Sequence, residues 1–168
     1  MNLVLIGMPG CGKSTVGVVL AKLLGMDFLD VDLVIQARQG KRLQALLDEL
    51  GTEGFLKLEA EIVASLRCEN TVVAPGGSAV LTSQGAEALR ALGKCIYLRV
   101  GPEALRSRLG NLATRGVAMA PGQTLADLYA QRAPHYERCA DVIIDEAETL
   151  EQTALQIAAL FEKPDGDE

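Results

Sequence analysis

The chain has 168 residues, 49 % apolar and 23 % charged, with 16 basic against 22 acidic side chains and a net charge of −6. That length supports one domain with a sizeable core. The acidic balance excludes general nucleic-acid binding, which needs a basic surface to displace counterions, so no nucleic-acid partner is expected; a small anionic substrate stays compatible, because local arginines can outweigh the global sign.

The first element expected is a short buried strand over residues 2–6 (NLVLI). Its apolar run is too short for a signal peptide or a membrane span, so no membrane partner is expected. Directly after it comes GMPGCGKST, which fits G-x-x-x-x-G-K-[ST] with Gly7, Gly12, Lys13 and Ser14. Glycines at this spacing let the backbone turn its N–H groups inward onto phosphate oxygens. The next helix adds its unpaired N–H groups and the positive end of its dipole. Lys13 offers a charge for the β- and γ-phosphates and Ser14 a hydroxyl for Mg²⁺. Gly10, Cys11, Gly12, Lys13, Ser14 and Thr15 are thus the expected nucleotide cradle, with ATP and Mg²⁺ as cofactors. Cys11 either simply fits the loop or is a redox-active thiol.

Residues 14–24 carry apolar side chains at helical spacing, with Gly25 placed as a C-cap. Residues 27–31 (DFLDV) read as a second strand, and alternation along it puts Asp30 and Asp32 on one face. One carboxylate suits Mg²⁺ and the other an attacking hydroxyl. The alternatives are a solvated turn, or a helix N-cap formed by Asp32. Two helical pieces broken near Gly40 are expected over residues 33–50. Phe55, Leu58, Ile62 and Leu66 then share a helical face.

TVVA, residues 71–74, is strand-like and runs into PGGS. A helix over 86–92, a strand over 95–100 and a short helix over 103–109 follow. Residues 110–124 are rich in glycine, threonine and proline; Gly110, Gly116 and Gly122 suit a mobile lid, against the alternative of a plain surface loop. A helix from Leu125 should end or bend at Pro134. A fifth strand spans 141–145, and Thr149 with Gln152 forms a capping box before a last helix carrying Leu150, Ala154, Ile157 and Phe161 on one face. Strand and helix alternate about five times, which predicts a parallel sheet covered on both faces, with ligands beyond the carboxyl ends of the strands. The four cysteines, Cys11, Cys68, Cys95 and Cys139, make no CxxC pair, and the lone His135 completes no zinc set. Reduced thiols in a cytoplasmic protein are expected.

A phosphate cradle alone names no reaction. The base-reading N-K-x-D of G proteins is absent and there is little room for a motor, so the size favours a small-molecule or nucleotide kinase. GMPGCGKSTVG, FLDVDLVIQ, GTEGFLKLEAE, PGGS, TRGVAM and QRAPHYERCADVII, in that order and spacing, resemble the shikimate kinase family over nearly the whole chain. The resemblance implies an α/β fold: a three-layer P-loop NTPase-type domain with a five-stranded parallel sheet, substrate-binding helices and a lid. It implies one P-loop kinase domain over residues 1–162 with the lid at about 110–124, and a frayed tail over 163–168. It further implies a monomer or weak homodimer acting in aromatic amino acid biosynthesis on a small-molecule hydroxyl acceptor.

Residue by residue, the resemblance implies Lys13 and Ser14 at the phosphates and Mg²⁺, and Asp30 beside the metal. It implies Asp32 on the acceptor hydroxyls as candidate base, Arg115 reaching the phosphates from the lid, and Arg108 stacking on adenine. Gly76, Gly77 and Arg132 would hold the acceptor, Arg132 through its carboxylate; its alternative is a structural pair with Asp127 or Glu137. The catalytic set is then Lys13, Asp32 and Arg115. Three positions depart from the family. Leu56 stands where the family has a second carboxylate-clamping arginine, and Lys57 is the adjacent candidate to replace it. Ser78 replaces the third glycine, behind Pro75. The lid reads RGVAM where Arg-Pro is usual. One charge-assisted hydrogen bond is worth roughly 1.5–3 kcal/mol, so its loss would weaken carboxylate binding by about 10–100-fold. The expected reaction is phosphorylation of shikimate at a hydroxyl. The alternatives are a related hydroxy compound, a nucleoside monophosphate, or a nucleotide-binding regulatory module without efficient transfer.

Overall fold

The computed structural model describes residues 1–109 and 120–161. Five strands form one parallel sheet: β1 (Leu3–Ile6), β2 (Asp27–Asp30), β3 (Thr71–Ala74), β4 (Lys94–Arg99) and β5 (Val142–Asp145), in spatial order β2-β3-β1-β4-β5. β1 lies at the centre, pairing Leu3 with Val72 on one side and with Lys94 on the other. Its residues are 0–1 % exposed, because a central parallel strand is covered on both faces and reads as unbroken apolar sequence. Each such side chain contributes about 1.5–3 kcal/mol by burial.

Seven helices connect and cover the strands among the described residues: α1 (Lys13–Leu24), α2 (Val31–Gln39), α3 (Leu43–Ser65), α4 (Ser83–Leu92), α5 (Pro102–Arg108), α6 (Leu125–Cys139) and α7 (Leu150–Phe161). α1 packs against α7 and α3 against α4. α1 ends at Gly25 in the left-handed region, as its sequence predicts. The break at Gly40 is present, and a second one at Gly51 interrupts α3. The Thr149 and Gln152 cap is formed reciprocally, each side chain accepting from the other's backbone N–H at 3.1 Å.

Two expectations are corrected. β2 stops at Asp30, and Asp32 sits in the first turn of α2. The N-cap is Asp30, whose Oδ1 accepts from the Asp32 N–H at 3.0 Å; the cap therefore lies before Asp32, which is itself inside the helix. Of the two outcomes expected at Pro134, ending is the one overturned: α6 continues through Cys139. A proline inside a helix removes one hydrogen bond, and here the turn beyond it is anchored by Tyr136 and Cys139, both buried in the core.

The predicted lid falls mostly outside the described residues, and Gly110, Arg115, Gly116 and the 163–168 tail fall wholly outside them. No helix among the described residues is long and apolar enough to cross a membrane.

Candidate active site

At the carboxyl end of β1 the chain turns through Gly10 (φ 79°) and Gly12 (φ 97°) into α1. Both angles favour glycine. Side chains would collide as well: a Cβ at Gly10 would stand 2.7 Å from Leu109, and one at Gly12 2.6 Å from Leu150. The loop thus keeps bare backbone facing the space above the sheet. Lys13 is 9 % exposed. Its Nζ donates to Gly7 O at 2.9 Å and Met8 O at 3.0 Å. An ammonium has three donors; two meet these carbonyls and the third points to the Cys11 sulfur at 3.8 Å, a weak acceptor that an anion can displace. Cys11 turns inward: it is 1 % exposed, its N–H donates to Met8 O at 3.1 Å, and its sulfur lies 3.8 Å from Lys13 Nζ. It lies outside the cavity lining.

That cavity, of about 370 Å³, is lined by Gly10, Gly12, Lys13, Ser14 and Thr15 on one side and by Asp30, Asp32, Gly76, Gly77 and Arg132 on the other. The residues predicted to hold phosphate and acceptor thus meet in one space. Ser14 Oγ donates to Asp30 Oδ2 at 2.8 Å. A hydroxyl and a carboxylate oxygen side by side are the hard donors Mg²⁺ takes, with nucleotide phosphates and waters completing its shell; the residues present fit that ion. No cluster of three or more His, Cys, Asp or Glu ligands exists among the described residues.

Asp32 has its carboxyl pushed above the ordinary aspartate range, first by burial and then by the charge of Asp30, with Lys13 acting the other way. Asp30 is engaged twice, as helix cap and with Ser14, and the Asp32 carboxyl lines the same cavity. Gly76 leaves no room for a side chain, and Gly77 is tightly packed: a Cβ on Gly76 would lie 2.3 Å from Glu59 Oε1 and 3.1 Å from Asp32 Oδ1. On Gly77 it would lie 3.0 Å from Pro9 and 3.3 Å from Arg132 Nη1.

Arg132 is 1 % exposed yet lines the cavity. Asp127, a suggested structural partner, is committed to the reciprocal cap with Thr124 instead. The neighbouring Tyr136 donates to Gly77 O at 2.5 Å, which fixes α6 against the glycine turn. Arg108 pairs with Glu146 and stands outside the cavity lining.

Lys57 is a correction. It is exposed and absent from the lining, whereas Phe55 and Glu59 face the cavity. Each residue turns an α-helix by about 100°, so a position midway between 55 and 59 points away. Among the described lining residues the cations are Lys13 and Arg132.

Glu59 was not singled out by the sequence reading. It is fully buried, with Oε2 accepting from Ser78 Oγ at 2.5 Å. Its Oε1 has no hydrogen-bond partner among the described residues. Burial raises the carboxyl to about 7; the Ser78 hydrogen bond opposes this, the Asp32 charge adds to it, and Arg132 and Lys13 oppose it. Folded Glu59 therefore keeps its proton up to about pH 7, and an unfolded glutamate only to 4.5. Its contribution is fully present below the unfolded value and is lost as pH rises through the folded one. The loss is on the order of 3 kcal/mol. Glu59→Gln is neutral at every pH and is expected to melt above the wild type near pH 8, with the gap closing near pH 5. Thermal melts at both pH values check this.

The shikimate kinase family model matches residues 9–162. The chain belongs to the shikimate kinase family. A shikimate kinase of Salinispora arenicola is 42 % identical over 163 residues, spanning 94 % of this chain and 96 % of that protein. One of Thiobacillus denitrificans is 41 % identical over 149 residues, spanning 87 % of this chain and 81 % of that protein. Among solved structures, the shikimate kinase of Acinetobacter baumannii superposes with a TM-score of 0.86 at 30 % identity, covering 95 % of this chain and 91 % of that one. Membership of the shikimate kinase family makes this chain an ATP-using phosphotransferase acting on a hydroxyl, and the central parallel sheet with its glycine loop is the family's fold.

Proposed function

We propose that the protein transfers the γ-phosphoryl group of ATP to a hydroxyl of a small carboxylate-bearing metabolite, with shikimate as the leading acceptor. The observation that carries this reading is the single cavity joining the Lys13 loop to Asp32 and Arg132. The similar Acinetobacter enzyme was solved in complex with shikimate. Lys13 binds the terminal phosphates. Asp32 orients the acceptor hydroxyl and takes its proton. Arg132 holds the carboxylate, and the bare faces of Gly76 and Gly77 let the acceptor lie against the backbone. Ser14 and Asp30 hold Mg²⁺, which when bound neutralises charge on the phosphates. Arg115 and Arg108 complete the nucleotide side, and the 110–124 segment excludes water.

A second reading is favoured by Leu56 and Ser78. Without a second guanidinium, the acceptor end keeps one cation for a carboxylate, and Ser78 holds Glu59 where the family has a bare glycine. A related hydroxy compound then replaces shikimate.

The test is an acceptor screen at saturating Mg-ATP, reading ADP release, with wild type and Arg132→Ala. Shikimate-dependent turnover is expected, and Arg132→Ala should raise the acceptor KM about 10–100-fold with little change for ATP. An unchanged acceptor KM removes Arg132 from the site. Turnover with another hydroxy acid but not shikimate selects the second reading. ATP binding without turnover across the whole panel supports a regulatory module instead.

A further inference from the structure

Four cysteines scattered along the sequence become, in the fold, two single thiols and one pair. Cys95 is the second residue of β4 and Cys139 the last of α6, and their sulfurs lie 3.9 Å apart. The backbone holds them in place. The Cys95 N–H donates to Asp141 Oδ2 at 2.8 Å, and the Asp141 N–H donates to Cys95 O at 2.8 Å. The segment two residues beyond Cys139 is thus tied to Cys95 itself. A disulfide needs its sulfurs about 2.05 Å apart, so closure asks the side chains to approach by about 2 Å.

Both residues are buried, Cys139 being 3 % exposed, and they differ in what they adjoin. Cys95 is 0 % exposed. Cys139 lines a separate surface cavity of about 290 Å³, together with Arg90, His135, Arg138 and Glu87. Arg90 Nη2 donates to the Arg138 carbonyl, which fixes its guanidinium over the last turn of α6. The Cys139 thiol is lowered from its ordinary range by the hydrogen bond with Cys95 and by the Arg90 charge, against burial and the Asp141 charge, while the Cys95 thiol is raised by the same bond and by burial. A thiol that lines a cavity shared with a guanidinium and touches a second thiol is the arrangement of a redox-sensitive pair.

We propose that Cys139 is a hydroperoxide-reactive thiol and Cys95 its resolving partner, the two forming a reversible disulfide that fastens α6 to β4. In the first step the Cys139 thiolate attacks a hydroperoxide. An S–O bond forms, the O–O bond breaks, and the departing alkoxide or hydroxide takes a proton and leaves as alcohol or water. Sulfur loses two electrons to become a sulfenic acid, and the peroxide gains them. In the second step Cys95 sulfur attacks Cys139 sulfur. The S–S bond forms, the S–O bond breaks, and hydroxide leaves as water with the Cys95 proton. A dithiol reductant reverses the pair to two thiols.

The full chain, treated with a small excess of hydrogen peroxide, alkylated and digested, provides the test. The wild type is expected to lose two alkylatable thiols and the mass of two hydrogen atoms. One peptide should join Cys95 to Cys139, and dithiothreitol should remove it. Cys95→Ser is expected to accumulate a sulfenic acid at Cys139 that dimedone traps, and Cys139→Ser to lose both products. If both variants fail to fold, the wild-type peptide map decides alone. Cys95 and Cys139 staying alkylatable while Cys11 or Cys68 oxidises overturns the proposal, as does a disulfide formed between two chains through Cys68.

Discussion

Lys13→Met is expected to lower turnover by about 100–1,000-fold, the usual cost of removing one charge-stabilising donor from a transition state. Two effects add. The variant loses the cation that spreads charge over the transferring phosphoryl group. It also loses the ties from Nζ to Gly7 O and Met8 O, which hold the loop closed on itself. Those ties are charge-assisted and mostly buried, so a stability loss of about 1–3 kcal/mol accompanies the catalytic one. The core strands around the loop are fully covered, and the domain should still fold. ADP release, titration with a fluorescent ATP analogue and a thermal melt separate the three effects. Wild-type turnover in a folded Lys13→Met protein would remove the glycine loop from the chemistry.

The loop was legible because its signal is local. An apolar strand, three glycines and a lysine within a dozen residues specify both a backbone path and a charge, and the fold reproduces them. The parallel sheet was legible from alternation of strand and helix for the same reason. The acidic pair was half legible. Asp30 and Asp32 do reach one cavity, but by a strand end and a helix turn rather than by two steps along one strand. The sequence pattern DVD fits either path, and the Asp30 cap decides between them.

Glu59 escaped for a different reason. It falls in register with Phe55, Ile62 and Leu66, all buried, and a lone acid on an apolar helical face was the available signal. Its meaning depends on Ser78, which approaches it only through the turn after β3. Lys57 illustrates the converse: adjacency in sequence suggested rescue of the missing guanidinium, and helical rotation turns it away. The Cys95–Cys139 contact joins two elements separated by 44 positions, and no local pattern announces it.

Asp32→Asn is expected to reduce kcat by about 100–10,000-fold, the range for loss of a positioned general base, with ATP affinity near the wild type. The substitution is a sharp probe because the cap of α2 belongs to Asp30, so the helix keeps its N-terminal side-chain cap without the Asp32 carboxyl. An asparagine keeps the volume, and one oxygen still accepts a hydrogen bond from the acceptor. What disappears is the capacity to take the proton released as the O–P bond forms. Asp30 cannot stand in, because one of its oxygens holds the Asp32 N–H and the other the Ser14 hydroxyl. Glu59 is a poor substitute, because its buried carboxyl already has one oxygen taken by the Ser78 hydroxyl and is only partly ionised at neutral pH. The acceptor KM should therefore move much less than kcat. A large rise in KM with kcat intact would make Asp32 a binding group alone, and the proton would then have to leave by way of the phosphate oxygens.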